Sequence, residues 1–527
     1  MQTFPTQPLT YAVANNKRAV VSLAGGILFQ AIFWQEKMAL NTVFFFAFIV
    51  ASLLMLYKAT LHWKKSFWLL CASFISLAAV IVHNSLLSKL ALIVSMLLLV
   101  AHTTNFYRSI HYGLAAVAKR VLLSMPQFAK DWAALTRQKD NKSKKKYNFR
   151  LLIMPFILAF IFTSIYLFAN DVLADIASHI GDWVGVWLTN AFNWVSVPRL
   201  FFSLLGIFIT SVFVISNQSS TANGEQNEVN ELTTKVVKAN KNEALSRFQE
   251  FVFGKVRYSV LALKMEYKAA IISLFLLNLL LTMVNVTDII YVWFNRTYKP
   301  GFEWAEFVHN GADILVFSIL LAMAVLLYFF RGNINFLRQN KTLKMLAYIW
   351  LAQNFILTIS VAIRNYYYIV HMGLAYKRIG LFVFIILVAA GLITIYIKIS
   401  QRKTAYYLLR TNGWIAFALF ILSTTVNWDE MIVRYNLLHK DKVPLDVSFL
   451  LSLNDKTIPI LDQYKTYLQK PQTPLQRRYF PDYETGYYAG QLEWRKQEFK
   501  KEYNHHSWLS WNYTDSYVNN YLASKGE

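Results

Sequence analysis

The fold is decided by one stretch: GFEWAEFVHNGADILVFSILLAMAVLLYFF (301–330), RGNINFLRQNKTLK (331–344), MLAYIWLAQNFILTISVAI (345–363) and RNYYYIVHMGLAYKRIG (364–380). Two apolar runs, each close to the ~20 residues that carry a helix through a bilayer, flank a short basic loop. This pattern predicts two membrane-spanning helices that turn back on each other. Glu303, Glu306, His309 and Asp313 enter the first, and Arg364, Tyr366, Tyr367 and Tyr368 leave the second, so both sets belong to one membrane face. Ionisable groups are costly at that depth unless they pair or line a polar path.

Outward from this hairpin, similar runs recur through the first 426 residues and then stop. They predict about eleven spans: 19–34, 40–57, 67–82, 88–106, 151–169, 198–216, 269–292, 312–330, 345–363, 379–397 and 413–426. Composition agrees, with 56% of the 527 residues hydrophobic and only 16% charged, against roughly 25% charged in a soluble domain. The fold class is therefore all-α: a polytopic membrane helical bundle with a small helical extramembrane domain at the C-terminus. With the N-terminus placed in the cytoplasm, the cytoplasmic segments hold 32 Lys and Arg, and the short outer loops hold 8: Lys37, Lys89, Arg199, Arg296, Lys299, Arg364, Lys377 and Arg378. That bias puts the N-terminus inside and the tail outside. It also accounts for the net charge of +24 without a nucleic-acid partner, because the cations stand in blocks between spans. A single cysteine, Cys71, rules out a disulfide within the chain and argues against a thiolate metal cluster.

The expected organisation is a four-span bundle (1–106), a basic cytoplasmic segment (107–150), a two-span hairpin with an outer interfacial helix (151–216), a cytoplasmic linker and helix (217–268), a five-span core (269–426) and the outer domain (427–527). The run KDNKSKKKYNFR (139–150) is either simply solvated or a site for anionic lipid. The 171–195 segment puts Trp183, Trp187 and Trp194 near one helical face, which suits headgroup depth. In the tail, Asn454 with Asp455 reads as a cap between helices. Phe449, Leu453, Leu461, Trp494, Trp508 and Trp511 are the expected core, and the aromatic surface is a candidate protein-docking face.

Motifs for soluble chemistry are absent: there is no phosphate-binding or dinucleotide glycine loop, no nucleophile elbow and no HExxH. His505 and His506 are adjacent and point about 100° apart on a helix, a poor metal pair. No catalytic, cofactor or metal residue is assigned. The candidate site is instead a polar cluster at the outer face, formed by Asp288, Glu306, His309, Asp313, Arg364 and Arg378. Asn278, Asn285 and Asp288 fall broadly on one side of their helix, and Glu306, His309 and Asp313 recur at spacings of three and four. The two arginines are expected to pair with these carboxylates, while Gln353 and Asn354 stand mid-span where they can bond between helices. Such a cluster either fixes span packing or couples to an ion or proton.

Several phrases are specific rather than compositional: AEFVHNGADILVFSILLA from Ala305, FRGNINFLRQNKTLK from Phe330, IRNYYYIVHMGLAYKRIG from Ile363, GLITIYIKI from Gly391, YYLLR from Tyr406 and VNWDEMIVRYN from Val426. FWQEKMALN at Phe33 and FANDV at Phe168 add weaker support. In these the chain resembles a polytopic inner-membrane family of Bacteroidota, a domain of unknown function numbered four-one-seven-three and related to four-one-five-three. The resemblance implies an envelope protein of the bacterial inner membrane and supplies no site residues. Two functions from different classes follow: a non-enzymatic sensor, regulator or envelope assembly partner, and a transporter or ion-coupled carrier that uses polar residues of the seventh to ninth spans. A lipid-modifying enzyme acting through Glu306 and His309 is a weaker third.

Overall fold

The computed structural model describes residues 9–57, 63–104, 107–136, 196–215, 231–232, 260–294, 304–330, 334, 340–468 and 487–526, with isolated positions at 163, 175–176, 178 and 181–183. No strand occurs among the described residues; a lone bridge pairs Leu232 with Lys403. The helices that matter here are α1 (Leu9–Phe33), α2 (Asn41–Tyr57), α3 (Trp63–His83), α4 (Leu86–Thr104), α5 (Ile110–Thr136), α6 (Val197–Val214), α7 (Val260–Asp288), α8 (Trp304–Phe329), α9 (Lys341–Met372), α10 (Tyr376–Gln401) and α11 (Ala405–Ser423). A helix lies over every expected span except 151–169, of which only position 163 is described; 139–150 and nearly all of 171–195 fall outside the described residues.

Seven helices among the described residues are long and apolar enough to cross a membrane: Ser66–His83, Leu86–Thr104, Val197–Val214, Leu263–Phe294, Lys341–Met372, Tyr376–Gln401 and Ala405–Ser423. Asn41–Tyr57 and Ile314–Phe329 are shorter apolar helices. On α7 and the turn that follows it, Ile272, Leu276, Leu280, Met283, Ile290 and Phe294 are all at least half exposed, a stripe that belongs in hydrocarbon rather than water. Together these helices mark a multi-pass membrane protein.

The chain divides into two compact units. One comprises Met1–Leu61 and Ala118–Asn217. Here α1 and α6 approach closely because three glycines face the contact. A Cβ on Gly25 would stand 2.2 Å from Thr210 Cγ2, one on Gly26 2.3 Å from Ile207 Cγ1, and one on Gly206 2.9 Å from Phe29 Cβ. Without water to squeeze out, helices in lipid gain cohesion through such close packing. Buried Asn41 closes the α1–α2 turn, accepting from the Ala39 amide at 2.8 Å and donating to the carbonyls of Ile32 and Lys37, each at 2.9 Å. Arg18 pairs with Asp131 at 3.4 Å in a buried setting. Burial pushes the Asp131 carboxyl up, against the pull of Arg18 and Gln127.

The other unit, His62–Val117 with Gln218–Glu527, holds α3, α4 and α7 to α11. Its apolar core gathers Leu274, Ile319, Leu326, Leu343 and Leu392. The tail continues through α12 (Trp428–Leu438), α13 (Val447–Ser452), a 3-10 turn (Asp455–Thr457), α14 (Ile458–Gln463), α15 (Lys465–Leu468), α16 (Tyr487–His505) and α17 (Tyr513–Ser524). As expected, the Asn454 side chain accepts the Lys456 amide and starts the turn leading into α14. Ile432, Val433, Leu437, Leu450 and Leu492 share one core with Ile369 and Leu374 of the bundle, and a smaller cluster joins Ile458, Phe499, Val518 and Leu522.

The expected tail core needs correcting. Leu453 and Leu461 are buried, but Trp494 and Trp508 are more than 60% exposed and Trp511 is also exposed. Helix α16 turns Leu492, Lys496 and Phe499 inward, and spacings of four and three leave position 494 on the outer side. Lys496 is satisfied inside by Asp462 at 2.6 Å, to which Tyr521 also donates at 2.8 Å. Burial works against the charged form of Asp462, but Lys496 and Tyr521 together hold its carboxyl below the usual range.

Gly373 ends α9 with φ +84 and ψ −179, a backbone region essentially reserved for glycine. A Cβ there would meet Asn436 Oδ1 at 2.3 Å and Val443 Cγ1 at 2.9 Å. Gly373→Ala should therefore lower the melting temperature of the purified full chain, the strain alone costing about 1–3 kcal/mol. Wild-type melting would contradict this account of the α9–tail junction.

Candidate functional site

Helices α7 and α9 run in the same direction, and a polar ladder joins them. Asn278 Nδ2 donates to the Leu346 carbonyl at 3.1 Å, and Gln353 Nε2 donates to Asn278 Oδ1 at 3.2 Å. Seven residues further along both helices, Asn285 Nδ2 donates to the Gln353 carbonyl at 3.1 Å. Toward the same end, Arg364 Nη2 donates to Asp288 Oδ1 at 2.6 Å, with the two side chains 11% and 9% exposed. Trp293 Nε1 bonds Ser360 Oγ at 2.9 Å. The seven-residue interval follows from helix geometry, since two turns return a side chain to nearly the same face. Asn354 takes no part between helices; its amide bonds its own helix at the Trp350 carbonyl, 2.8 Å away.

Two features set this ladder apart from simple packing. Three of its oxygens, Asn285 Oδ1, Gln353 Oε1 and Asp288 Oδ2, are buried and accept no hydrogen bond among the described residues, and each such acceptor costs about 1–3 kcal/mol if nothing satisfies it. Directly after Asp288 the backbone widens into a π-helical turn, Ile289–Phe294, a form concentrated at functional positions because it breaks the regular carbonyl ladder.

Of the six residues expected to form the cluster, the structure brings Asp288 and Arg364 into contact. Glu306, His309 and Asp313 fall on the first turns of α8, and their side chains lie outside the described residues. Arg378 turns toward the α9–α10 loop instead. It donates to the Met372 carbonyl at 2.8 Å and to that of Gly373, and it lies over the Tyr368 ring at 4.0 Å. The loop folds back on itself there, bringing two carbonyls nearer to this guanidinium than any described carboxylate.

A second set of polar contacts, not foreseen from sequence, ties the tail to that loop. Asn436 accepts the Leu374 amide at 2.7 Å and donates to the Leu374 carbonyl at 2.9 Å. Asp429 accepts from the Tyr376 hydroxyl and from Lys456 Nζ, the latter at 2.5 Å. Lys456, buried at 2% side-chain exposure, also reaches the His83 carbonyl at 3.3 Å. The His83 ring in turn lies 3.1 Å from the Thr425 carbonyl. No spacing in the sequence pairs these residues; the only sequence signal is that Asp429 and Asn436 lie within the distinctive VNWDEMIVRYN phrase.

A family model described as Domain of unknown function (DUF4153) matches residues 66–464. Of the two family numbers read from the sequence, this is the one given as the relative. No curated protein and no solved structure matches the chain.

A buried ion pair reacts differently to losing one partner than to losing both. Asp288→Leu and Arg364→Leu should each destabilise the detergent-purified chain by about 3–5 kcal/mol, while the double variant falls well short of the sum. Additive losses in thermal unfolding would show that the two side chains do not act as a pair.

Proposed function

From the premise that the chain belongs to the DUF4153 family, we propose that it is a non-enzymatic protein of the bacterial inner membrane, acting as a sensor, regulator or envelope assembly partner. In this reading the chain crosses about eleven times, with the N-terminus in the cytoplasm and the tail in the periplasm. The closer family assignment and the origin in Bacteroidota belong to it too, as does the six-part division of the chain. Its main support is the seat of the tail. Asn436 grips the loop that ends α9, Asp429 holds Tyr376 at the start of α10, and Lys456 braces Asp429, while α9 carries Arg364 to its pairing with Asp288. A partner bound at the tail thus has a continuous packed path to a buried ion pair within the spans. Sidedness within this unit fits as well: Glu231 meets Arg108, Lys403 and Arg410 at one set of span ends, while His83 and Thr425 meet at the other.

A second reading, an ion-coupled carrier, draws on the three unsatisfied oxygens of the ladder and the π-turn beside them. Oxygen acceptors without donors suit a guest that supplies positive charge or hydrogen.

Orientation is tested by single cysteines placed at Thr485 and Gln226 in a Cys71→Ala background. In intact spheroplasts the first should react with an impermeant thiol reagent and the second should not; the reverse pattern overturns the topology. For function, the tagged wild-type chain, gently solubilised, should retain a protein partner that Asn436→Ala reduces several-fold. Equal recovery with the two chains, or no partner alongside ion-dependent stabilisation of the wild type, would favour the carrier.

A further inference from the structure

At the span ends opposite the tail, one carboxylate gathers three cations. Glu231 Oε1 accepts from Arg108 Nη2 at 2.8 Å and from Arg410 Nη1, and Lys403 Nζ stands 3.9 Å from Oε2. The Thr404 amide donates to the Glu231 carbonyl at 2.8 Å. The cations come from scaffolded positions. Arg108 lies in the short link between α4 and α5, and its carbonyl accepts from Trp414 Nε1 at 3.1 Å. Lys403 follows the left-handed Arg402, φ 54, that ends α10, and Arg410 is on α11. Glu231 arrives from the long polar connection between α6 and α7. Side-chain exposures of 40%, 21% and 26% for Arg108, Lys403 and Arg410 leave the site reachable from outside the bundle. One turn before Arg410 on α11, the Tyr406 hydroxyl is buried with no hydrogen-bond partner among the described residues.

We propose that Arg108, Lys403 and Arg410 form a socket for a phosphate group, and that Glu231 occupies it as a built-in competitor. Two guanidinium forks and an ammonium match the several oxygens of a phosphate better than the two of a carboxylate, and the Tyr406 hydroxyl offers a further donor. Two sources share this chemistry: the headgroup of an anionic phospholipid, and a free phosphate in solution. The lipid source rests on the orientation proposed above, which sets this end in the cytoplasmic leaflet, where basic pockets between spans recognise anionic headgroups. The solution source does not depend on it.

The test uses the full chain in detergent, with thermal unfolding followed against added phosphatidylglycerol, phosphatidylcholine or inorganic phosphate at constant ionic strength. Phosphatidylglycerol or phosphate should protect the wild type, and Glu231→Gln should lower the half-protecting concentration by about tenfold or more, because a competitor that fills the socket reduces apparent affinity by the fraction of time it is bound. Arg410→Gln and Arg108→Gln, each in the Glu231→Gln background, should abolish the effect. Protection by phosphatidylglycerol alone identifies the lipid source; protection by phosphate as well identifies a soluble one. The proposal is overturned if Glu231→Gln binds no tighter than wild type, if either arginine variant that still unfolds cooperatively keeps the protection, or if phosphatidylcholine protects equally. An orientation opposite to that proposed, together with phosphate protection that follows the variants, would leave the socket standing and remove only the lipid source.

Discussion

Hydrocarbon offers no hydrogen-bond partner, so every polar group carried into it must find one within the protein. Along α7 and α9 a ladder of amides that ends in Asp288 and Arg364 meets part of that demand, and Asn285 Oδ1, Gln353 Oε1 and Asp288 Oδ2 accept no hydrogen bond among the described residues. The ion pair is the element most dependent on its surroundings, because either charge alone at that depth is far more costly than the two together. Helix α9 is accordingly held from both sides: by α7 along the ladder, and by the tail at its end.

The tail is therefore part of the bundle rather than an appendage. Its apolar core includes Ile369 and Leu374, and its polar grip falls on the few residues where α9 stops and α10 begins. Gly373 makes this possible, since its conformation lets the chain turn sharply while Asn436 bonds both backbone groups of the next residue. Lys456 then joins the carboxylate of Asp429 to the end of α3 through the His83 carbonyl.

Much of this was legible in the sequence, and what was not has a physical reason. Apolar runs and the placement of Lys and Arg report local hydropathy, so the helices emerged from them directly. Partner choice depends on the fold: Asp288 finds Arg364 76 positions away, while Arg378, of the same charge and close by in sequence, bonds loop carbonyls. The tryptophans of the tail looked like core because they are large and apolar, yet on α16 it is Lys496 that is buried and Trp494 that is exposed, a reversal set by which face meets Asp462. Glu231 sits in a segment with no apolar period to announce it. Asp429 and Lys456 stand apart in sequence, and only the fold places them together.

The seven-residue interval of the ladder carries one more consequence. Asn278 and Asn285 stand two turns apart, as do Leu346 and Gln353, so sliding one helix past the other by about 10.5 Å would set amide against amide again. A repeating ladder is in this sense degenerate, like a ruler whose marks coincide at several offsets. The single carboxylate–guanidinium pair has no repeat and acts as the vernier, closing at one offset alone. If these helices ever change register, the amides permit the movement and Asp288 with Arg364 defines where it comes to rest.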